Sequence, residues 1–248
     1  KDYYTWSSLF GEKEKNRLDK FDIHVVIMAG GKRERLKPFT NILPKPLVPV
    51  NDRPIIVHII DKFLQYGLHN FHLMLNYKSR IIRAFFEEED FDYNLNYEYE
   101  DKPLGTAGSL RSLYGKISSP LVVTNCDIIV DADYYDIYEY HIANKNEITL
   151  VSSAKNHTIP YGVCVLNGDG SLSHITEKPS SDYLINVGYY ILNPKMLSLI
   201  PKDSFFNMTD LIEQALLKNY KIGVYTIGEN DWIDVGQWKE YSKAIEIL

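Results

Sequence analysis

The sequence predicts an α/β fold: a Rossmann-like domain with a mixed, mostly parallel central sheet, helices on both faces, and a β-rich lobe. Three observations predict it. Apolar runs of strand length alternate with helix-period segments from Ile23 to Ser153, the pattern of parallel strands joined by crossover helices. From Val163 to Leu192 the pattern changes to successive strand-like runs separated by turn residues. The 248 residues, 45% of them hydrophobic, are enough to bury one sizeable core.

Taken in order, Ile23–Met28 predicts a buried strand, and residues 29–50 a polar loop carrying Pro38, Pro44, Pro46 and Pro49. Pro54 opens a predicted helix that runs to about Tyr66 and stops at Gly67. The pattern then predicts a strand over 69–75, a helix over 79–89 with Ser79 as N-cap, and a strand over 95–99. A helix is expected over 105–115 after a glycine turn, a buried strand over 121–124 ending at Asn125-Cys126-Asp127, a helix over 133–143 and a strand over 147–153. Further strands are expected over 163–166, 172–177 and 185–192, with Asn167-Gly168-Asp169-Gly170 as a turn. A helix over 208–217 after Asn207, a strand over 221–227 and a helix over 237–247 complete the pattern. Ligands of open α/β sheets bind beyond the carboxyl ends of the strands. That directs attention to the loops after Met28, Tyr99, Thr124 and Trp232.

Charge narrows the partners. The net charge is −6, so no global field attracts nucleic acid or an anionic membrane. Apolar runs such as residues 25–29 fall far short of the roughly 20 residues of a membrane span. Against this acidic background Lys32, Arg33, Arg35, Lys37 and Lys45 form a local basic cluster, the mark of a specific anion site. Cys126 and Cys164 sit in apolar, strand-like segments; buried free thiols are expected, in keeping with a reducing cytosol and a cytoplasmic location. Residues 1–20 are polar and charged apart from Tyr3, Tyr4, Trp6, Leu9 and Phe10, and read as a tail or linker from an upstream domain, with one domain over 21–248.

The chemistry starts after the first strand, at Ala29-Gly30-Gly31. A glycine pair there lets backbone N–H groups approach phosphate oxygens. By itself a Gly-Gly after a strand is an ordinary turn. Combined with Arg35, which can fork onto a β- or γ-phosphate, and with Pro44-Lys45-Pro46, whose lysine can place a point charge at the α-phosphate, it reads as a triphosphate loop. Gly30, Gly31, Arg35, Leu36, Pro38, Thr40 and Pro44-Lys45-Pro46 resemble the hallmark of the sugar-phosphate nucleotidyltransferase family, Gly-Gly-x-Gly-(Thr/Ser)-Arg-Leu-x-Pro-x-Thr followed by Pro-Lys-Pro. The resemblance runs from about Phe21 to the C-terminus. It departs at Arg33, where the family has Gly, and at Glu34, where it has Thr or Ser. If that backbone is left-handed, a residue other than Gly costs roughly 1–2 kcal/mol.

What the resemblance implies is a Rossmann-like nucleotidyltransferase fold with a sugar-binding lobe, and a Mg²⁺-dependent transfer of a nucleoside monophosphate from an NTP to a sugar 1-phosphate. Glu100 to Gly108, with Pro103-Leu104-Gly105-Thr106, resembles the family's base-binding turn. Uridylyl and thymidylyl members carry a Gln at the Glu100 position. A carboxylate only accepts, and suits guanine's N1–H and N2 amine, which favours GTP; otherwise Glu100 is a surface carboxylate. Asp127, at the end of a buried strand, and Asp234, in Trp232-Ile233-Asp234-Val235-Gly236, match the family's two Mg²⁺ ligands; each alone reads as a cap or turn residue. Glu177-Lys178-Pro179 resembles the sugar-side motif, with Lys178 on the sugar phosphate and Glu177 on sugar hydroxyls. Gly162, in Tyr161-Gly162-Val163, and Asn186, in Asn186-Val187-Gly188, resemble the other sugar-pocket segments, and Tyr161, Tyr189 and Tyr190 read as core or rim aromatics.

Within the family, Pro-Leu-Gly-Thr-Ala-Gly and Asp-Val-Gly-Gln look like mannose-1-phosphate guanylyltransferases. Asn-Cys-Asp, Ile-Pro-Tyr-Gly-Val and the linker-like start look more like a bacterial branch with an upstream CBS-domain pair. That branch includes the glucosamine-1-phosphate guanylyltransferase of legionaminic acid biosynthesis, and it is the favoured subgroup. Homo-oligomers are common in this fold, although no interface is legible in the sequence. An alternative class is a regulatory subunit that binds nucleotide sugar without turnover. Arg33 favours it, and the intact Lys45, Asp127, Lys178 and Asp234 oppose it. An NAD-dependent dehydrogenase fails for want of G-x-G-x-x-G with a downstream acid.

Overall fold

The structure is a computed structural model that describes residues 23–31, 36, 38–88 and 91–247. The reading of residues 1–20 as a linker lies outside them, as do Lys32, Arg33, Glu34, Arg35 and Lys37.

The chain runs β1 (His24–Met28), α1 (Phe39–Ile42), a 3₁₀ turn (Lys45–Leu47), β2 (Pro49–Val50), β3 (Arg53–Pro54), α2 (Ile55–Leu64), β4 (Asn70–Leu75), α3 (Ser79–Glu87) and β5 (Asn94–Tyr99). A 3₁₀ segment (Gly108–Leu113), β6 (Leu121–Asn125), β7 (Ile128–Val130), α4 (Tyr134–Ala143), β8 (Ile148–Thr158), β9 (Val163–Leu166), β10 (Leu172–Thr176) and β11 (Ser180–Leu192) follow. A third 3₁₀ segment (Pro194–Leu199), α5 (Met208–Leu217), β12 (Ile222–Ile227), β13 (Trp232–Asp234) and α6 (Trp238–Ile247) close it.

Seven strands form one sheet in the order β12-β8-β11-β6-β1-β4-β5. All neighbours are parallel except β11, which runs antiparallel to both β6 and β8. The sheet is thus mixed and mostly parallel, as the alternating pattern predicts. Its core lies on both faces: Val25 and Ile27 join one apolar cluster with Phe63, Phe71 and Tyr189, while Val26 joins the other with Leu110, Val123 and Met208. Burial on both sides explains why β1 reads as a continuous apolar run rather than an alternating one. No described helix is long and apolar enough to cross a membrane.

Beyond the sheet, β8 and β11 continue together from Ser153↔Ile185 to Thr158↔Ser180, and β9 and β10 form a separate two-stranded ribbon. This arm is nearly all exposed. Its residues face water on both sides, so the predicted strands ended too early at Ser153 and began too late at Ile185. Cys164 lies on β9 and is exposed, which corrects the expectation of a buried thiol; Cys126 is buried.

Two further expectations change. The predicted helix over 105–115 is a 3₁₀ segment over 108–113, because the N–H groups of Ala107 and Gly108 both donate to Phe206 O at 2.9 Å instead of starting a helical ladder. Ser79 is the first residue of α3, and the cap position is Lys78, at φ 53° with no side-chain cap. The Lys78 ammonium instead donates to the carbonyls of Thr40, Asn41 and Ile42 at 3.3, 2.8 and 2.9 Å, closing the C-terminal end of α1.

Candidate active site

The parallel order β6-β1-β4-β5 decides where the chemistry gathers. Each strand ends on the same edge, so the residues that follow stand in a row: Asn125 to Asp127, Ala29 to Gly31, Asn76, and Glu100. The ladder reaches into the loops. Ala29 N–H donates to Met74 O at 3.0 Å and Glu100 N–H to Leu75 O at 2.9 Å. Asn76, which the sequence reading passed over, donates through Nδ2 to Glu100 O at 2.9 Å. A Cβ on Gly30 would meet Asn76 Cβ at 3.2 Å, so this position suits a residue without a side chain. The signal for Asn76 was available in its place after β4, at the same carboxyl edge.

A cavity of about 310 Å³ is lined by Gly30, Gly31, Lys45, Asp127, Glu100, Gly105 and Thr106, together with Asn76, Phe205 and Asn207. Seven of the expected site residues, and the missed Asn76, thus share one space. Ala29 is buried just behind it. Arg35 lies outside the described residues.

In this lining Lys45 and Asp127 form a buried ion pair, 5% and 2% exposed. Lys45 is held by the 3₁₀ turn that Pro44 and Pro46 favour. The short antiparallel pair β7–β13, too short to read from sequence, matches Asp234 with Ile128, and Val235 N–H donates to Asp127 O at 2.9 Å. Residues more than a hundred positions apart in sequence therefore meet. A Cβ on Gly236 would collide with Asp127 Oδ2, with Lys45 Nζ at 2.6 Å and with Asp234 Oδ1 at 2.8 Å. Asp234 is oriented by the Gly236 N–H at 2.9 Å and by Gln237 Nε2 at 3.1 Å. Among the described residues no cluster of three or more His, Cys, Asp or Glu forms a metal cage. Two carboxylates converging on a corner kept open by a glycine are instead an oxygen-only donor set, which fits a hard cation completed by phosphate and water, as Mg²⁺ is usually held.

Glu100 lines the same cavity, its Oε1 3.6 Å from where a Cβ on Gly30 would stand. Burial pushes its carboxyl pKa up, opposed by the neighbouring Ser109 hydroxyl and by the Leu104 N–H, which donates to Oε2 at 3.3 Å. Gly105 takes φ +81°, and a Cβ there would meet Phe206 O at 2.6 Å. Only glycine passes this turn freely. Thr106 Oγ1 accepts from Met208 N–H at 2.9 Å, so its hydroxyl also satisfies the start of α5; Asn207 and Asp210 form the capping box there.

The residues expected to bind sugar form a second group that does not line this cavity. Gly162 and Glu177 face each other, since a Cβ on Gly162 would lie 3.1 Å from Glu177 Oε2. Lys178 is exposed at φ 44° in the turn between β10 and β11, and its N–H donates to Tyr161 O at 3.3 Å. Asn186 sits where the arm joins the sheet. Its Oδ1 accepts from Gly188 N–H at 3.0 Å and its Nδ2 donates to Tyr190 Oη at 2.7 Å. A Cβ on Gly188, at φ +84°, would collide with the Asn125 side chain, so this segment abuts the end of β6, two residues before Asp127. Tyr189 and Tyr190 are buried and Tyr161 exposed, consistent with core and rim roles.

Comparison with known proteins supplies the wider context. Mannose-1-phosphate guanyltransferases from Hypocrea jecorina and Pichia angusta are 34% and 33% identical to the chain over 232 and 229 residues, 87% of it and 61% of each relative. The chain spans about three-fifths of the length of these relatives. Among solved structures, HddC from Yersinia pseudotuberculosis superposes with a TM-score of 0.69 at 26% identity, covering 91% of this chain and 99% of that one. Its complex with GMP-PN matches equally well, at 25% identity and the same coverage. A family model described as Nucleotidyl transferase matches residues 24–248, from the first residue of β1 onward, and the chain belongs to that family.

Proposed function

We propose that the chain transfers a guanylyl group from GTP to a hexose 1-phosphate, giving a GDP-sugar and pyrophosphate. One observation carries the reading. A single cavity is lined by a glycine pair, a buried lysine–aspartate pair and an acceptor-only carboxylate. The glycines and the lysine suit phosphates, and the carboxylate suits the donor edge of guanine. The names of the relatives and the GMP-PN complex of HddC support the same base.

The residues divide the work. A sugar phosphate oxygen is already anionic near neutral pH and needs no base. It forms the new bond to the α-phosphorus while the bond to the β-phosphate oxygen breaks, and pyrophosphate leaves with the electron pair. Positioning and charge cancellation supply most of the acceleration. Gly30 and Gly31 would present N–H groups to the phosphates, and Lys45 a charge to the α-phosphate. Arg35 would stabilise pyrophosphate. Lys178 would hold the incoming phosphate, and Glu177, Gly162 and Asn186 would line the sugar. Asp127 and Asp234 would hold Mg²⁺, which when bound supplies further neutralisation of phosphate charge.

For the sugar, the motif resemblance favours glucosamine 1-phosphate, whereas the relatives are named for mannose 1-phosphate. Pyrophosphate release with four NTPs against a panel of hexose 1-phosphates tests both choices. GTP with one hexose 1-phosphate should dominate. A lead for UTP or dTTP would overturn the base assignment. Tight nucleotide-sugar binding with no release for any pair would point to a regulatory subunit.

A further inference from the structure

An aromatic ring on the nucleotide cavity has no part in the scheme above. Phe205 lines the cavity and is 64% exposed. Among the described residues no other ring and no cation stands against it. Single exposed apolar residues are common, so exposure alone says nothing. Two further observations single this one out.

The first is the rigidity of its backbone. The segment 204–207 is clamped to the Glu100–Gly108 turn from several directions. Phe206 N–H donates to Leu104 O at 2.9 Å, and Phe206 O accepts from both Ala107 and Gly108. The Asn207 side chain accepts from Thr106 N–H at 3.4 Å, and Met208 N–H donates to Thr106 Oγ1 at 2.9 Å. Phe206 packs against the apolar core, so the inward side of the segment is taken. Phe205 is held outward, on the cavity wall. The second observation is what the cavity otherwise offers. Glu100 can read only the edge of a flat heterocycle. The faces of that heterocycle need apolar cover, and Phe205 is the aromatic side chain among the lining residues.

We infer that Phe205 is a substrate-binding residue whose ring stacks on the nucleobase of the bound nucleotide. The inference rests on the cavity being the nucleotide site, as proposed above. Glu100 and Phe205 then divide recognition. The carboxylate discriminates between bases, and the ring contributes affinity to any of them, because every base has a π-face.

The test compares Phe205→Ala, Phe205→Tyr and Phe205→Trp in the full chain, with pyrophosphate release and tryptophan emission as readouts. Phe205→Ala should raise KM for GTP about tenfold or more and leave kcat within about twofold. It should raise KM for poorer NTPs by the same factor. Phe205→Tyr should restore the wild-type KM. In Phe205→Trp, GTP should quench emission beyond the change seen in wild type, which has three tryptophans of its own. Wild-type turnover of GTP with an unchanged KM in Phe205→Ala would overturn the stacking role and leave the guanylyl reading standing. No pyrophosphate release by wild type, but quenching of Phe205→Trp by GTP, would remove the catalytic reading and keep the ring. A KM rise confined to GTP would also count against stacking, since only edge recognition selects one base.

Discussion

The proposed nucleotide half of the site and the proposed sugar-side arm are built in opposite ways. In the nucleotide half the functional groups double as structure. Lys45 and Asp127 are buried against each other, Glu100 is held by Asn76 and Leu104, and Thr106 caps α5. In the arm, Glu177 and Lys178 are exposed and satisfy nothing in the core. The difference teaches that damage should read out differently. A substitution in the first half costs stability and chemistry together, while one in the arm costs chemistry alone.

Asp127→Asn against Lys178→Ala is the sharpest contrast and the largest effect. Asp127→Asn removes the carboxylate of a buried ion pair with Lys45. Breaking a buried pair costs about 3–5 kcal/mol, so Tm should fall by roughly 10 °C, and kcat should drop at least about 10³-fold. Lys178→Ala should cut turnover at least about 10²-fold and leave Tm unchanged, as exposed substitutions do. Thermal melts and pyrophosphate assays on both proteins check this. A stable Asp127→Asn, or a destabilised Lys178→Ala, breaks the comparison.

Gly236→Ala comes next. Its methyl would collide with Asp127, Lys45 and Asp234 at once. Turnover should fall about 10²-fold, as displacements near 1 Å do at a reacting centre. If Mg²⁺ sits at that corner, wild-type Tm should rise with added Mg²⁺ and that of Gly236→Ala should not. Equal responses would place the metal elsewhere.

Glu100→Gln should raise KM for GTP roughly tenfold, the worth of a hydrogen bond to a charged acceptor, and narrow the gap to UTP. Burial raises the Glu100 pKa, so the carboxylate protonates at a higher pH than an ordinary glutamate. The sign follows. Acidification turns an acceptor into a donor facing guanine donors, so KM for GTP should climb as pH falls, beginning above the usual glutamate range. The Gln variant should lack that climb, which steady-state kinetics across pH would show.

These effects also mark what could be read from sequence. Strands buried on both faces announce themselves as apolar runs, and the glycine and Pro-Lys-Pro motifs carry their chemistry in residue type, so β1, β4, β6, Lys45 and Asp127 were legible. The outer parts of β8 and β11 were not, because strands wet on both faces lose their pattern. The β7–β13 pair is three residues a side and exists only through tertiary contact, yet it brings Asp234 to Asp127. Phe205 had no signal. Its importance comes from Phe206 facing inward, which composition does not reveal.

The smallest expected effect lies beneath the nucleotide half, in the strands that carry it. His24 Nδ1 and His72 Nε2 on β1 and β4 stand 3.0 Å apart, and His72 Nδ1 is buried with no hydrogen-bond partner among the described residues. Burial first, then the adjacent His24, push the His72 pKa from 6.5 down to about 4, against a smaller pull from Glu98. Below pH 6.5 the unfolded chain takes up a proton that the folded chain refuses. This contribution to stability is therefore complete above pH 6.5 and is lost progressively as pH falls toward 4. His141, whose pKa burial also lowers, adds in the same direction. Urea midpoints measured from pH 7.5 to 4.5 should fall, and His72→Gln should flatten the fall without abolishing it, because His141 continues to titrate. A His72→Gln curve parallel to wild type would show that the pair beneath the nucleotide half carries no acid sensitivity.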